Sequence, residues 1–379
     1  MRLCLCFIAA LFISIQGIAS ASVEISNPRA IMSGSIIIKP NRRPEFSARL
    51  SPDGKYILFP QQIDAIENTY TLYLQNIETA EEVKIPVVLL SGYDTVFTRF
   101  NFFNPTGDKL ALVSMKKENN QNLTEVFIFD IASKNLIKTG INGHLTMAQF
   151  DFSGNNLVLS PNEGTVSIAS LDDFKSGKTI MSGWVHSCSP KTPFAAVFVP
   201  PSRPMNIESL PMSIEELRNL RNTMPKAEFK LLNLKTNESF ILPTHSDNSQ
   251  LDDITSHWSS DGLYIFYMDL KDDSLGSPGI VTRVWDVNSN KEKATIAEAL
   301  CLGPGPADNL MIMISTDNNS SGSNLRLYDI KTDTLSPIGT GSIKGVHAWS
   351  NRILYVETME EGIGKLYVAD IVESEDNKP

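Results

Sequence analysis

Cysteine is scarce in this chain, and its scarcity excludes a disulfide framework. The 379 residues include four cysteines, of which Cys4 and Cys6 belong to the apolar first segment. The other two, Cys188 and Cys301, lie in β-like segments just before predicted turns. We expect both to be buried free thiols, with a pairing between them as the alternative.

Positive charge is also sparse, and no run of Lys or Arg occurs. The chain carries 33 Lys and Arg against 43 Asp and Glu, a formal net charge of −10. An acidic chain of this kind is a poor partner for nucleic acid or for an anionic membrane surface. We therefore expect no nucleic-acid ligand.

Long apolar runs are missing except at the start of the chain. There, MRLCLCFIAALFISIQGIASA joins Arg2 to an apolar stretch and a tail of small residues. This layout predicts a signal peptide over residues 1–21 and a secreted or periplasmic mature protein. The stretch is short for a membrane span, so an uncleaved anchor is the alternative, and we expect no stable membrane insertion.

Common enzyme motifs are missing too. The sequence contains no G-x-S-x-G, H-E-x-x-H, glycine-rich phosphate loop or C-x-x-C pattern. We therefore assign no catalytic residue, metal ligand or cofactor from motifs.

The chain does contain a repeated sequence unit. The unit consists of a short apolar strand, a tight turn and a second strand that ends in an aromatic residue. Its clearest copy is residues 46–59, where Ser51-Pro52-Asp53-Gly54 separates FSARL from KYILF. Weaker copies have turns that begin at Asn104, Phe152, Ser189, Ser259, Pro304 and Trp349. Such units must stack to bury their apolar faces. We call the two strands a and b; each unit continues into a third strand, c, and usually into a fourth, d. Seven units predict an all-β propeller of seven four-stranded blades, with six or eight blades as alternatives.

The two ends of the chain are predicted to close this ring. The seventh unit has no fourth strand, and we expect the charged tail, residues 373–379, to be disordered. The segment SGSIIIKP, residues 33–40, is rich in β-branched residues and precedes the first unit. It is predicted to pair as the outer strand of the last sheet, so that residues 22–372 form one domain.

The repeat resembles that of TolB-like propellers and, more broadly, of WD-repeat-like propellers. The residues that carry the resemblance are the Ser51-Pro52-Asp53-Gly54-Lys55 turn, the following Tyr56-Ile57-Leu58-Phe59 and Leu72-Tyr73-Leu74. The resemblance implies the fold and leaves the activity open. In these turns Pro fixes φ, Asp bonds to the turn backbone and Gly takes a positive φ, so Asp53 and Asp261 are predicted to be turn residues.

Histidine placement gives the first candidate site. His186, His257 and His347 each precede a repeat turn by a few residues in strand a, and His144 precedes the third strand a. Because strand a lines the channel of a propeller, these four side chains are candidate binding residues at a channel mouth. The alternative is that each imidazole fills a polar slot between adjacent sheets.

An insertion in the fourth unit gives the second candidate site. Residues 200–226 carry prolines at their ends, and Ser213-Ile214-Glu215-Glu216 has the Ser and Glu of a capping box. This pattern predicts a short helix over residues 213–222. Met212, Leu217 and Arg221 are the candidate partner-binding residues of this insertion.

A weaker acidic pattern follows in the fifth unit. Asp269, Asp272 and Asp273 are predicted to share one loop, where a calcium site competes with a simple solvated loop.

Together these patterns favour a secreted or periplasmic, monomeric propeller that binds a protein or envelope component, without a cofactor. The alternative is a carbohydrate-active or metal-dependent lyase or hydrolase with a His-lined channel mouth.

Overall fold

Twenty-seven β-strands make up the described part of the chain in the computed structural model, and no helix occurs there. The structure describes residues 23–37, 48–64, 69–90, 102–118, 121–143, 145–161, 164–174, 177–200, 227–244, 255–271, 279–315, 324–338, 344–358 and 363–373. The predicted signal peptide, residues 1–21, and the predicted helical insertion, residues 200–226, lie outside these ranges apart from Pro200.

The strands form seven antiparallel sheets in sequence order, which we call blades one to seven. Blades one to three comprise β2 (Arg49–Leu50), β3 (Tyr56–Asp64), β4 (Thr69–Asn76) and β5 (Glu82–Leu90); β6 (Lys109–Glu118), β7 (Gln121–Asp130) and β8 (Asn135–Gly143); and β9 (Leu145–Phe150), β10 (Asn156–Pro161), β11 (Thr165–Ser170) and β12 (Thr179–Ser182). Blade two has an isolated bridge between Phe103 and Leu110 where the other blades have their first strand.

Blades four to six follow the same order. They comprise β13 (Trp184–Cys188), β14 (Phe194–Val199), β15 (Glu228–Asn233) and β16 (Ser239–Leu242); β17 (Ser256–Trp258), β18 (Tyr264–Lys271), β19 (Gly279–Asp286) and β20 (Lys291–Ala297); and β21 (Ala299–Pro304), β22 (Leu310–Ser315), β23 (Leu325–Asp329) and β24 (Thr334–Pro337). The predicted seven-bladed β-propeller is confirmed.

Blade seven is built from both ends of the chain. It joins β25 (Lys344–Trp349), β26 (Arg352–Thr358) and β27 (Ile363–Glu373) to the N-terminal strand β1 (Val23–Ile37). Ring closure by an N-terminal strand is therefore confirmed, but the strand begins ten residues before the predicted Ser33. It pairs from Val23 opposite Glu373 to Ile37 opposite Ile363, and two register shifts accommodate the Asn27-Pro28 step and the residues after Ala30.

The core lies between the blades. Alternating apolar residues of each inner strand pack on the next sheet: Leu50 and Ile57 of blade one share a cluster with Leu354 and Leu366 of blade seven. Ile31 of the closing strand is 2% exposed and belongs to the same cluster. Burial of this face explains why the terminal strand is held, since an unpaired edge would leave both apolar surface and backbone groups in water.

The turns between the first and second strands of neighbouring blades touch each other on one face, which we call the turn face. Thr192 of blade four donates to the carbonyl of Gly262 in blade five, with 2.9 Å between Oγ1 and O. Gly262 has a φ of +71°, and a Cβ there would lie 2.3 Å from Ser189 Oγ. Glycine is therefore required both by the backbone and by the close approach of the two turns.

The predicted roles of Asp53 and Asp261 in their turns are confirmed. Ser51 Oγ donates to Asp53 Oδ1 over 2.6 Å, and Ser259 donates to Asp261 over the same distance. The amides of Lys55 and Leu263 also donate to these carboxylates. Both aspartates are thus bound within their own turns.

The prediction for Asp269 is wrong. Asp269 lies within β18 and is 1% exposed, with its Oδ2 2.6 Å from Arg283 Nε. It is a buried ion-pair partner because strand β18 extends through the position where the sequence predicted a loop. Asp272 and Asp273 lie outside the described residues.

Candidate binding site in the central channel

The first strand of each blade lies at the centre of the ring. β2, β9, β13, β17, β21 and β25 are edge strands of their sheets. Neighbours among them contact each other from β9 through β13, β17 and β21 to β25, and β25 contacts β2. These strands therefore form the wall of the channel.

Turn hydrogen bonds align five of these strands at one level. In each, the amide of one residue donates to the carbonyl five positions later; these residues are Ser51, Asp151, Ser189, Ser259 and Gly305. The same bond occurs at Asn104 of blade two. Two positions before the first four residues lie Arg49, Gln149, Ser187 and His257. We call these four side chains, with the adjacent His347, the polar layer. A fifth strand, β21, approaches too closely for a side chain here, since a Cβ on Gly303 would lie 2.0 Å from the Ala348 carbonyl oxygen.

Two members of the polar layer bind neighbouring blades. Gln149 Nε2 donates to the His186 carbonyl over 3.2 Å, which joins blade three to blade four. Trp258 Nε1 donates to Ser187 Oγ over 3.0 Å, and Ser187 Oγ lies 2.6 Å from Ser256 Oγ, which joins blade four to blade five. Gln149 and Ser187 therefore stabilise the assembly of the blades.

Two of the predicted histidines also contact the next blade. His186 Nδ1 lies 2.8 Å from Ser256 Oγ, and the ring meets Phe229 edge-on. The Leu50 amide donates to His347 Nδ1 over 3.3 Å. Because Nδ1 of His347 accepts, the proton of the neutral ring is on Nε2. Both rings thus lie between neighbouring blades. Whether they also bind a ligand stays a prediction.

His257, His347 and Arg49 meet across the axis. The rings of His257 and His347 are 6.3 Å apart between centroids, although blade six separates their strands along the ring. Burial, with the charges of Arg49 and His186, lowers the pKa of His257 to about 3. Burial, with Arg49 and His257, lowers the pKa of His347 well below its ordinary value. The charge of Arg49 in blade one therefore acts on a histidine of blade five, in addition to the larger effect of burial.

The Arg49 guanidinium is the one charged group of this layer at neutral pH. Arg49 is 6% exposed, and burial lowers its pKa to about 10, so it stays protonated. Its Nη1 donates to the Ala48 carbonyl over 3.0 Å. Arg49 makes no ion pair with any carboxylate of the described residues.

A shallow depression of about 200 Å³ marks the channel mouth on the turn face. Its lining combines polar groups with the apolar side chains of Pro52, Pro105, Pro190, Pro306 and Trp349. Lys191 and Asp308 stand at its rim, with 3.9 Å between Nζ and Oδ1. Trp349 also stacks on His347, with ring centroids 6.2 Å apart, and so connects this mouth to the polar layer.

Several predicted site residues lie outside the described part of the chain. His144 is one, and Met212, Leu217 and Arg221 of the insertion are the others. Their proposed binding roles stay predictions. The structure brings His257 and His347 together, and His186 lies between blades four and five. No group of three His, Cys, Asp or Glu suited to a metal ion occurs among the described residues. The arrangement that a metal-dependent enzyme requires is thus not found there.

Sequence reasoning missed two features: Arg49, and the prolines that surround the turn-face mouth. Arg49 is a lone cation inside the apolar strand FSARL, at the position that His257 occupies in unit five. The prolines recur at the second position of the turns that begin at Ser51, Asn104 and Ser189. Both patterns were visible as repeat positions, but only the ring shows that equivalent positions converge.

Comparisons with known proteins support the fold alone. No protein-family model matches the chain, and no curated protein matches it by sequence. Among solved structures, the chain is similar to "Crystal structure of RRP9 WD40 repeats", with a TM-score of 0.51, 11% identity, and coverage of 92% of this chain and 100% of that one. It is also similar to "Structure of U3-55K", with a TM-score of 0.52, 10% identity, and coverage of 90% and 100%.

The fold and the channel together define a seven-bladed β-propeller of the architecture found in WD40 repeats, with a polar layer across its axis. At this level of identity the likeness extends to the architecture and leaves the TolB-like resemblance of the repeat as a prediction. The described residues contain no helix that is long and apolar enough to cross a membrane.

Proposed function

We propose that this protein is a secreted or periplasmic propeller that binds a protein partner of the envelope. The observation that carries the proposal is the depression at the turn-face mouth, which joins apolar Pro and Trp side chains to a charged rim. A volume of about 200 Å³ is below the 300–1,000 Å³ of ordinary small-molecule pockets, and it suits one or two anchoring side chains of a partner.

The rim adds specificity to this apolar centre. Lys191 and Asp308 have side chains that are 60% and 64% exposed, so they can exchange their mutual contact for contacts with a partner. An apolar centre with a charged, hydrated rim is the usual anatomy of a protein interface. Propellers with the WD40 architecture offer such a mouth as a preformed, rigid surface, which lowers the entropic cost of binding.

The test is partner capture with a blocked mouth. Ala307 is exposed and lines the depression, so Ala307→Arg fills the mouth without removing a buried group. Ala297→Arg, at an exposed position on the outer strand of blade five, is the matched control. We expect the mouth variant to weaken binding of the captured envelope protein at least tenfold, about 1.4 kcal/mol, while the control binds normally.

The insertion, residues 200–226, is the competing surface. It connects the end of β14 to the start of β15, whereas the turn-face mouth lies at the other end of these strands. The insertion and the mouth can therefore be tested by separate mutations. A variant with a Gly-Ser linker in place of residues 203–224 tests Met212, Leu217 and Arg221. Loss of binding in this variant alone moves the partner site to the insertion, and normal binding by both folded variants contradicts the proposed function. Export is tested separately by the N-terminal residue of the mature protein, which we expect near Ser22.

A further inference from the structure

The polar layer contains a positive charge without a compensating negative one. Arg49 is only 6% exposed, and its guanidinium donates one N–H group to the Ala48 carbonyl. Among the described residues no carboxylate pairs with it, and Gln149 and Ser187 at the same level already bind neighbouring blades. A buried charge is costly unless it is paired, so this arrangement favours an anion from outside the described residues.

The two imidazoles that feel the charge of Arg49 can supply further N–H donors. His347 accepts at Nδ1 from the Leu50 amide, so its Nε2 carries the proton and can donate. The ring of His257 lies 6.3 Å from that of His347 and makes no hydrogen bond to another described residue. A neutral imidazole donates without adding charge. The layer therefore combines one positive charge with at least two further N–H donors.

These features select the ligand class. The guanidinium fork pairs with a carboxylate through two parallel N–H···O bonds, and one carboxylate balances the single positive charge of the layer. A phosphate dianion would leave a second negative charge uncompensated in the buried layer. The fit is thus to a monoanionic carboxylate of small size.

The turn-face mouth lies close to the layer along two strands. Trp349 lines that mouth and stacks on His347, which lies two residues further back in β25. Arg49 lies three residues before Pro52, another residue of the mouth. At about 3.3 Å per residue along a strand, the layer lies roughly 7–10 Å below the mouth. A small acid or the end of a chain can cover that distance, whereas a folded surface cannot.

We propose that Arg49, His257 and His347 form a carboxylate-binding site inside the channel, reached from the turn-face mouth. The carboxylate belongs either to a free small acid or to the C-terminus of a peptide. This site is independent of the protein-binding function proposed above, because its ligand contacts the channel interior and not the rim.

The experiment is a ligand titration of the purified full-length protein at pH 7 and constant ionic strength. The probes are acetate, N-acetylglycine, which mimics a chain terminus, and N-acetylglycinamide, which has the same shape without the charge. Binding is followed by calorimetry and by the histidine ring NMR signals. We expect acetate or N-acetylglycine to bind and to shift the signals of His257 and His347, and N-acetylglycinamide to have no effect.

Variants test the role of Arg49. Arg49→Gln is expected to weaken carboxylate binding at least tenfold, while Lys293→Gln, which removes the same charge from an exposed outer strand, leaves it unchanged. If Arg49→Gln does not fold, His257→Gln replaces it, with a smaller loss. Tighter binding of N-acetylglycine than of acetate identifies a chain terminus, and the reverse identifies a free acid. Absence of binding, equal binding of the amide, or undiminished binding by Arg49→Gln overturns the proposal.

Discussion

Arg29 on the N-terminal strand donates to Asp370, a residue 341 positions further along the chain, with 3.2 Å between Nη2 and Oδ1. Arg352 on β26 also bonds to Asp370, and its guanidinium reaches the carbonyl of Gly54 and the carboxylate of Glu78 in blade one. Two arginines and two carboxylates thus connect the closing strand, the last blade and the first blade. The ring is closed by this network as well as by the backbone ladder of β1 and β27.

Deletion of residues 23–37 is expected to lower the free energy of unfolding by several kcal/mol, a large share of the stability of an ordinary domain. The deletion exposes the edge of β27 and uncovers the cluster that contains Ile31. Urea unfolding of the parent protein and the shortened form measures the loss. Identical unfolding midpoints would show that closure contributes nothing. Asp370→Asn, in which the strand remains, is expected to cost only about 1 kcal/mol because its ion pairs are partly exposed.

The buried ion pair of blade five gives a second prediction. Asp269→Asn should destabilise the protein by about 3–5 kcal/mol, because it leaves the Arg283 charge buried with one weaker partner. Burial alone would lower the pKa of Arg283, but Asp269 and Glu292 raise it, so the arginine stays charged. Glu292→Gln is the comparison, since this carboxylate is 33% exposed and should cost about 1 kcal/mol or less. Equal effects of the two substitutions in thermal unfolding would contradict this account.

The channel histidines predict an acid dependence of stability. The pKa of His257 is lowered to about 3 and that of His347 well below its usual value, whereas both are near 6.5 in the unfolded chain. The unfolded state therefore binds more protons below pH 6.5, and stability falls as the pH decreases from 6.5 toward 3. The slope is up to about 1.4 kcal/mol per pH unit for each histidine.

Urea unfolding at pH 7, 6 and 5 measures this slope. His257→Gln combined with His347→Gln should flatten it, and Arg49→Gln should reduce it, because the Arg49 charge lowers both pKa values. The variants are compared by the slope of stability against pH, because His347→Gln also alters the hydrogen bond to the Leu50 amide and so changes the absolute stability. A slope that is the same in the double variant as in the parent protein would count against neutral histidines in the channel.

The two thiols provide the fourth prediction. Cys188 and Cys301 are both free, and burial raises the pKa of each. Cys301 is 7% exposed, so Cys301→Ser should cost roughly 1–2 kcal/mol by burying a hydroxyl in an apolar site. Cys188 is only partly buried, and Cys188→Ser should cost less. Denaturant unfolding measures both, and mass spectrometry that found a Cys188–Cys301 bridge would refute the free-thiol state.

The sequence was sufficient to predict the blades, because each repeats the same local chemistry. Ser51, Asp53 and Gly54 fix a turn through contacts within five residues, and Ser259, Asp261 and Gly262 repeat them. Ring closure was also predictable. The N-terminal strand has no partner in the first unit and the seventh unit lacks a fourth strand, so pairing the two completes the last blade. The bounds of the closing strand could not be predicted from the sequence, because its two register shifts depend on its pairing with β27.

The site depended on the tertiary structure, because its residues meet only across the axis. Arg49, His257 and His347 belong to blades one, five and seven, and nothing in their local sequences gives the width of the channel. Gly303 shows the same limit, since the close approach of β21 to Ala348 requires a glycine that the repeat pattern does not single out. The blades could therefore be predicted from the sequence, because local hydrogen bonds determine them. Contacts between distant side chains, and the burial that lowers the pKa values of the histidines, arise only when the ring closes.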